Sequence, residues 1–185
     1  MLHLIINYIN LFIPDVYLKN IYSIDLAKMK EQKNIRGIII DLDNTLFPWG
    51  KYFLDDRVLS WIKEVKQADI KICLVTNTHR KNISKIGNDL GIPFFYSRYK
   101  PRRKPFRKAM KIMNTAEKET AVIGDQIFTD VFGGNRLKLL TILVCPLSPR
   151  DAFGTTHFSR PVERFLISHW LKNGKMKLIN SRWPL

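Results

Sequence analysis

Residues 38–46, which read Ile-Ile-Ile-Asp-Leu-Asp-Asn-Thr-Leu, decide the fold. They join an apolar, β-branched run to two carboxylates, Asp41 and Asp43, and to the hydroxyl of Thr45. Acids at the end of a buried strand cost free energy unless a metal ion or hydrogen bonds compensate for them. The carboxyl end of a parallel strand opens into the crevice where α/β proteins bind ligands. The stretch therefore predicts a buried strand that ends in a site, although a simple Asp-Asn-Thr turn uses the same residue types.

Four other short apolar runs have the composition of strands that are buried on both faces. They are residues 70–76, 92–96, 120–124 and 140–146, and together with residues 37–42 they make five strands. Helical periodicity fills the intervals at residues 55–67, 80–90, 106–113 and 128–137. This alternation predicts a Rossmann-like, three-layer α/β/α domain with a five-stranded, mainly parallel sheet.

The sequence divides into three parts around this sheet. Residues 31–160 hold the predicted α/β core, and residues 1–30 form an N-terminal helical part in which 15–29 read as one or two short helices. Residues 161–185 are predicted to form a C-terminal helix that packs up to Leu171, followed by a mobile basic tail. A membrane-facing helix is the alternative for this last part, because large apolar side chains stand among basic ones.

The first thirteen residues are apolar except for one narrow polar stripe of His3, Asn7 and Asn10. Such a helix fits a membrane interface, and it fits equally a helix packed on the domain. It is too short to cross a bilayer, which takes about 20 apolar residues. It also lacks the basic start and cleavage site of a signal peptide and the arginines of a transit peptide.

Composition and charge narrow the class of protein. With 185 residues, of which 45% are hydrophobic and 25% charged, the chain is one globular domain of ordinary size. Cys73 and Cys145 lie in apolar runs, which argues against a disulfide framework or a zinc site. The net charge of +15 predicts an anionic partner, namely nucleic acid, an anionic bilayer or a phosphorylated metabolite, unless it serves only solubility.

Three further segments follow predicted strands and complete a family pattern. They are Thr76-Asn77, the basic segment with Lys100-Pro101 and Lys104-Pro105, and residues 124–130, Gly-Asp-Gln-Ile-Phe-Thr-Asp. With residues 41–45 they resemble motifs one to four of the haloacid dehalogenase (HAD) superfamily. Residues 124–136 and 141–144 are more narrowly similar to the YqeG-type subfamily IIIA, which includes a mitochondrial phosphatidylglycerophosphate phosphatase. The resemblance covers about residues 11–165.

The resemblance implies a catalytic set. Asp41 would be the nucleophile that forms an aspartyl phosphate, and Asp43 would be the general acid and then the base. Lys100 would neutralise charge between nucleophile and phosphate, and it is preferred to Lys104 because its spacing to Phe106-Arg107 matches the family pattern. The pair Leu137-Lys138 departs from that pattern, which often has a small residue there.

The resemblance also implies a magnesium ion and a phosphate-binding set. Mg²⁺ would be held by Asp41, by Asp43 through its carbonyl and by Asp125, with Asp130 contacting metal-bound water or orienting Lys100. Substrate-binding residues would be Thr45, Thr76, Asn77, Lys100 and the basic residues Arg102, Arg103 and Lys104.

Each interval in which this superfamily inserts a cap domain has room for one helix and its loops, so no cap domain is predicted. An open site suits a phosphate on a large substrate. The expected function is Mg²⁺-dependent hydrolysis of phosphatidylglycerophosphate, or a similar anionic phospholipid, by a peripheral protein at the cytoplasmic face of a membrane. A mitochondrial location fits if the organism is eukaryotic. The alternatives are a phosphatase of nucleic acid ends or phosphoproteins, with nucleic acid not favoured, and a non-catalytic binding module, against which the complete set of carboxylates argues.

Overall fold

The computed structural model describes residues 8–53, 55–77, 83–151 and 155–183. Its strands are β1 (Val16–Leu18), β2 (Gly37–Ile40), β3 (Lys71–Thr76), β4 (Phe94–Tyr96), β5 (Thr120–Gly124), β6 (Leu140–Val144) and β7 (Leu178–Ile179). Its helices are α1 (Leu26–Lys33), α2 (Asp56–Gln67), α3 (Ile83–Leu90), α4 (Arg103–Met113), α5 (Phe132–Asn135) and α6 (Arg160–Lys172). Two π-helical turns, Ile127–Val131 and Thr155–Ser159, lead into α5 and α6.

The strands form one sheet in the order β4-β3-β2-β5-β6-β1-β7, and every neighbouring pair is parallel. From β2 the chain proceeds through β3 and β4 to one side of the sheet, whereas β5 and β6 lie on the other side. The strand order therefore reverses beside β2, and a crevice opens at the carboxyl ends of β2 and β5. The residues that follow these two strands face that crevice.

The prediction of five strands is wrong, because the sheet has seven. β1 lies within residues that were expected to be helical, and β7 lies within the expected mobile tail. The carboxylate of Asp15 explains the position of β1, since it accepts hydrogen bonds from the backbone N–H (2.8 Å) and hydroxyl (2.9 Å) of Thr141 at the start of β6. A strand of two or three residues is too short to show a period in the sequence.

The C-terminal residues are also packed. Trp183 is buried, and its backbone exchanges hydrogen bonds with Ser23 (2.8 Å) and Asp25 (2.6 Å). The expectation of a mobile end is therefore wrong for the residues up to 183. Strands from all three predicted parts of the chain share the one sheet.

Residues 1–7 of the predicted N-terminal helical part lie outside the described residues. The residues that are described pack on the domain, since the ring of Phe12 stacks on that of Phe132 with centroids 4.4 Å apart. The side-chain amide of Asn135 donates to the carbonyls of Leu11 and Ile13, each at 2.9 Å. Tyr8 nevertheless remains largely exposed. Within the described residues no helix has the length and apolar character needed to cross a membrane.

β2 is covered on both faces, as its unbroken apolar run predicts. Ile38 and Ile40 belong to a core that includes Trp61 of α2 on one face. Ile39 points to the opposite face, into a second core that includes Phe106 of α4. Helices thus cover both faces of a parallel sheet, which confirms the three-layer α/β/α prediction.

Candidate active site

Three strands deliver polar side chains to the same edge of the sheet. Asp41 follows β2, Thr76 ends β3 and Asp125 follows β5, and all three are buried. The backbone N–H of Asp41 donates to the carbonyl of Ile123 at 3.0 Å, which extends the pairing of β2 with β5 past the end of the strand. The two acids are therefore fixed by the sheet itself and not by a mobile loop.

Asp130 completes a cluster of three buried carboxylates. Oxygen atoms of Asp41, Asp125 and Asp130 all lie within 4.8 Å of one another. Asp130 belongs to the π-helical turn after β5, and it reaches the cluster across Gly124. A Cβ atom at Gly124 would lie 2.3 Å from the Asp130 carboxylate, so any other residue there would displace it. The sequence signal Gly-Asp followed by a second acid thus has a steric basis.

Lys100 lies between two of these carboxylates. Its Nζ donates to Asp41 Oδ1 (2.5 Å), to Asp130 Oδ1 (2.7 Å) and to the carbonyl of Val75 (3.0 Å). Burial alone would lower the pKa of Lys100, but the charges of Asp130 and Asp41 outweigh burial and the net pKa is raised. Lys104, by contrast, is exposed on the first turn of α4.

The cluster carries more negative charge than its surroundings balance. Burial raises the pKa of Asp41 to about 7 against the opposing charge of Lys100, and Asp130 adds to the rise. Burial likewise raises the pKa of Asp125 well above its ordinary value, although Arg160 opposes the shift. Carboxylate oxygens close together in a buried site are the ligands that Mg²⁺ prefers. The donor set therefore fits a divalent cation.

Asp43 and Thr45 are buried beside this cluster in the loop after β2. Asp43 Oδ1 accepts a hydrogen bond of 2.5 Å from the Tyr52 hydroxyl, a contact that no motif predicted. Thr45 Oγ1 lies 3.5 Å from Asp125 Oδ1 and donates to it. Asp43 thus stays close to Asp41 in the chain without joining the group of three carboxylates, and its carbonyl remains the predicted ligand.

Asn44 holds this loop in place. It has a left-handed backbone with φ 59°, which Asn adopts more readily than most residues. Its side-chain amide donates to the carbonyl of Arg150 (2.8 Å), and its Oδ1 accepts from the hydroxyl of Ser148 (2.8 Å) and the N–H of Trp49 (3.1 Å). The sequence alone showed only a turn residue here, because Ser148 and Arg150 lie 104 and 106 positions away.

Arg160, at the start of α6, is a site residue that the sequence did not reveal. Its guanidinium is buried and pairs with the Asp125 carboxylate, and it also donates to the Asp125 carbonyl at 2.7 Å. Asp151 (2.7 Å) and Glu163 (3.2 Å) bind the same guanidinium from outside the carboxylate cluster. Glu163 also accepts from the N–H of Phe128 at 3.1 Å. No motif marks Arg160, since one arginine before a proline looks like an ordinary helix start.

The predicted phosphate-binding residues divide into two groups. Thr76 is buried, and half-buried Asn77 accepts a hydrogen bond of 3.3 Å from the Lys100 backbone N–H. The basic residues Arg102, Arg103 and Lys104 are exposed at the rim, outside the carboxylate cluster.

Comparison with known proteins identifies the family. The family model for haloacid dehalogenase-like hydrolases matches residues 47–137. A Bacillus subtilis (strain 168) protein named "Probable phosphatase YqeG" is 41% identical over 166 residues, which cover 90% of this chain and 95% of the relative.

A more distant relative is "Phosphatidylglycerophosphate phosphatase 1, chloroplastic/mitochondrial" of Arabidopsis thaliana. It is 27% identical over 171 residues, which cover 88% of this chain but only 49% of the relative, so this chain spans about half its length. The crystal structure of an uncharacterized protein from Listeria monocytogenes serotype 4b has the same fold, with a TM-score of 0.51 and 18% identity over 72% of this chain and 98% of that one. The arrangement of Asp41, Lys100 and Asp125 and the similarity to the Bacillus protein agree: this chain belongs to the haloacid dehalogenase-like hydrolases, as a phosphatase of the YqeG type.

Proposed function

We propose that this phosphatase removes the phosphate monoester of an anionic phospholipid, specifically converting phosphatidylglycerophosphate to phosphatidylglycerol, with Mg²⁺ as cofactor. The observation that carries the chemical part is the meeting of Asp41, Asp125 and Asp130, with the ammonium of Lys100 between Asp41 and Asp130. Phosphate monoesters hydrolyse very slowly without a catalyst, so a site must supply a nucleophile, a proton and positive charge.

The protein's own residues provide the nucleophile and the proton, and Lys100 provides part of the positive charge. An oxygen of Asp41 attacks phosphorus, the bond from phosphorus to the glycerol oxygen breaks, and Asp43 gives that oxygen its proton. Asp43 then takes a proton from water, whose oxygen attacks the aspartyl phosphate and releases inorganic phosphate from Asp41. Lys100 lies against Asp41 and balances the charge that gathers on the phosphoryl oxygens.

The side chains of Asp41 and Asp125, the carbonyl of Asp43 and the supporting carboxylate of Asp130 would hold Mg²⁺. A bound divalent cation would supply positive charge to the phosphoryl group and would keep Asp41 ionised despite its burial. Thr45 and Thr76 provide hydroxyl groups, and Asn77 a backbone N–H, for the phosphate oxygens.

Three observations support a lipid as the substrate. The Arabidopsis relative is named for phosphatidylglycerophosphate. A site without a cap domain, as the sequence predicts, would admit a phosphate that stands on a large surface. The exposed basic side chains of Arg102, Arg103 and Lys104 are suited to an anionic headgroup and to a peripheral position on the cytoplasmic face of a membrane.

The test is release of inorganic phosphate by the full-length protein from dioctanoyl phosphatidylglycerophosphate, a short-chain form that needs no bilayer. We expect turnover with Mg²⁺ and none after chelation with EDTA. Phosphatidic acid and a 5′-phosphorylated oligonucleotide serve as competing substrates. Since the charge of +15 also favours nucleic acid, faster turnover of the oligonucleotide would replace the lipid proposal with hydrolysis of nucleic acid ends.

A further inference from the structure

Large apolar side chains are exposed on the loops around the active site. Phe53 directly follows Tyr52, which binds Asp43, and its exposed fraction is 56%. Tyr99 directly precedes Lys100 and is 53% exposed. Each of them therefore directly adjoins a residue that contacts a buried acid of the candidate site.

The connection between β6 and α6 repeats this pattern twice. Leu147, 41% exposed, donates its backbone N–H to the carbonyl of Asn44 at 3.1 Å. Phe158, 71% exposed, lies two residues before Arg160, which binds Asp125. We call Phe53, Tyr99, Leu147 and Phe158 the apolar rim.

The apolar rim is not explained by packing or by chance exposure. Single exposed apolar residues are normal, but these four come from three connections, β2–α2, β4–α4 and β6–α6, which all begin at the carboxyl edge of one sheet. The contacts of the neighbouring residues Tyr52, Lys100 and Arg160 already hold these connections in place. Folding therefore does not require the apolar side chains beside them to be exposed. Several exposed apolar side chains beside one site mark a surface to which a membrane or another molecule binds.

The charge beside the apolar rim indicates what docks. Exposed basic side chains stand on the same connections and on the first turn of α4, whereas the acids in these connections begin α2 at Asp55 and Asp56 or bind Arg160 at Asp151. The exposed basic residues are Lys51, Arg98, Arg102, Arg103, Lys104 and Arg150. Apolar side chains that enter the acyl boundary, next to basic ones that face headgroups, are the combination that binds an anionic bilayer.

We propose that the apolar rim docks this protein on an anionic lipid bilayer, with the mouth of the active site facing the membrane. This inference rests on the proposed function, since it explains how a lipid phosphate reaches Asp41 without leaving the bilayer. Nucleic acid is the poorer occupant, because stacking of bases needs aromatic faces along one groove, whereas Leu147 has none and the rings stand on separate loops.

The experiment measures sedimentation of the full-length protein with vesicles of equal parts phosphatidylglycerol and phosphatidylcholine, which contain no substrate. The double variant Phe53→Ser/Phe158→Ser is expected to bind about tenfold more weakly or worse, because two apolar side chains no longer enter the bilayer. Ile112→Ser is the matched control, since Ile112 is 43% exposed at the end of α4, on the opposite edge of the sheet. This control should bind as the unmodified protein does.

Hydrolysis of soluble 4-nitrophenyl phosphate separates docking from chemistry. The rim variant should keep the kcat and KM of the unmodified protein for this substrate and lose rate only on phosphatidylglycerophosphate embedded in vesicles. Unchanged vesicle binding by the rim variant would overturn the docking inference, and so would an equal loss of vesicle binding in Ile112→Ser. The inference would also be overturned if the rim variant lost binding to a single-stranded oligonucleotide but kept binding to vesicles.

The two proposals fail in different ways. Vesicle binding that depends on the apolar rim, without turnover of dioctanoyl phosphatidylglycerophosphate, would support docking and refute the substrate. Turnover of the short-chain lipid, together with vesicle binding that is unchanged in the rim variant, would support the substrate and refute docking.

Discussion

Two buried cations stand on opposite sides of the carboxylate cluster, and they do different work. Lys100 contacts two carboxylates of the cluster, Asp41 and Asp130, with a compact ammonium group. Arg160 contacts only Asp125 within the cluster and spreads its planar guanidinium to Asp151 and Glu163 outside it. A single ammonium can turn from carboxylate to phosphate, whereas a guanidinium held by three acids is fixed.

From this difference we infer that Lys100 takes part in the chemistry, whereas Arg160 positions Asp125. Lys100 lies against Asp41, the proposed nucleophile, so its charge would act on the phosphoryl group. Arg160 joins the start of α6 and the loop after β6 to the carboxylate of Asp125, so its charge keeps a predicted metal ligand in place. Variants on the two sides should therefore fail in different measurements.

The largest expected effect is on the Lys100 side, at the nucleophile itself. Asp41→Asn should lower kcat for 4-nitrophenyl phosphate by about 10⁴-fold or more, because an amide cannot form the covalent intermediate. At pH 5, where the Asp41 carboxyl is already protonated, the free energy of unfolding should change little, since the neutral amide still accepts from Lys100. Asp69→Asn, at an exposed acid paired with Lys30, is the control and should keep full activity. An active Asp41→Asn protein would refute the assignment of Asp41 as the nucleophile.

Lys100→Met tests the cation on this side. We expect kcat to fall by roughly 10²- to 10³-fold, the usual loss when one group that stabilises developing charge is removed. Lys104→Met, at the competing lysine of the motif, should cost far less, because Lys104 is exposed and makes no contact with Asp41. Equal losses in the two variants would mean that bulk positive charge, and not the contact with Asp41, is what matters.

Arg160→Met tests the other side, and stability is the measurement. Removing one partner of a buried ion pair should lower the free energy of unfolding by about 3 to 5 kcal/mol, because Asp125 and Glu163 are left uncompensated. Mg²⁺ should restore part of the loss, since a cation at Asp125 replaces the missing charge. Arg164→Met, one turn later and exposed, should change stability by less than about 0.5 kcal/mol. If Arg160→Met unfolds in urea at the midpoint of the unmodified protein, Arg160 does not hold the site.

The contrast between Lys100 and Arg160 also marks what the sequence could predict. Asp41, Asp125 and Lys100 follow strands or keep a fixed spacing to neighbours, so local pattern was enough to find them. Arg160 and Asn44 act on partners far away in the chain, and neither residue type is unusual where it stands.

The same limit applies to the fold. Five strands were predicted because each lies within an apolar run of the sequence, including the three-residue β4 within residues 92–96. β1 and β7 add only two or three residues each, and they pair because the strand beside them offers an edge. Such pairing is a tertiary effect that a pattern along the chain does not record.

The smallest expected effect is a change of stability with pH that arises on the Lys100 side. Burial raises the pKa of Asp41 from its ordinary range to about 7, so between about pH 4 and pH 7 the folded protein keeps a proton that the unfolded chain has lost. Stability must then fall as pH rises through this window. Lys100 is protonated in both states over the same range and contributes no slope. Asp41 alone should lower the free energy of unfolding by about 2 to 3 kcal/mol between pH 5 and pH 7.5 in EDTA.

Urea unfolding at these two pH values, with and without Mg²⁺, checks this slope. Mg²⁺ should stabilise the protein more at pH 7.5 than at pH 5, because only ionised carboxylates hold the ion. Asp41→Asn should remove the Asp41 share of the slope in EDTA and leave the share of Asp125, whose pKa burial also raises, whereas Arg160→Met should steepen the slope, since loss of the guanidinium raises the pKa of Asp125 further. A slope that is undiminished in Asp41→Asn and steeper in Arg160→Met would place the unbalanced charge at Asp125 alone and would contradict the raised pKa of Asp41.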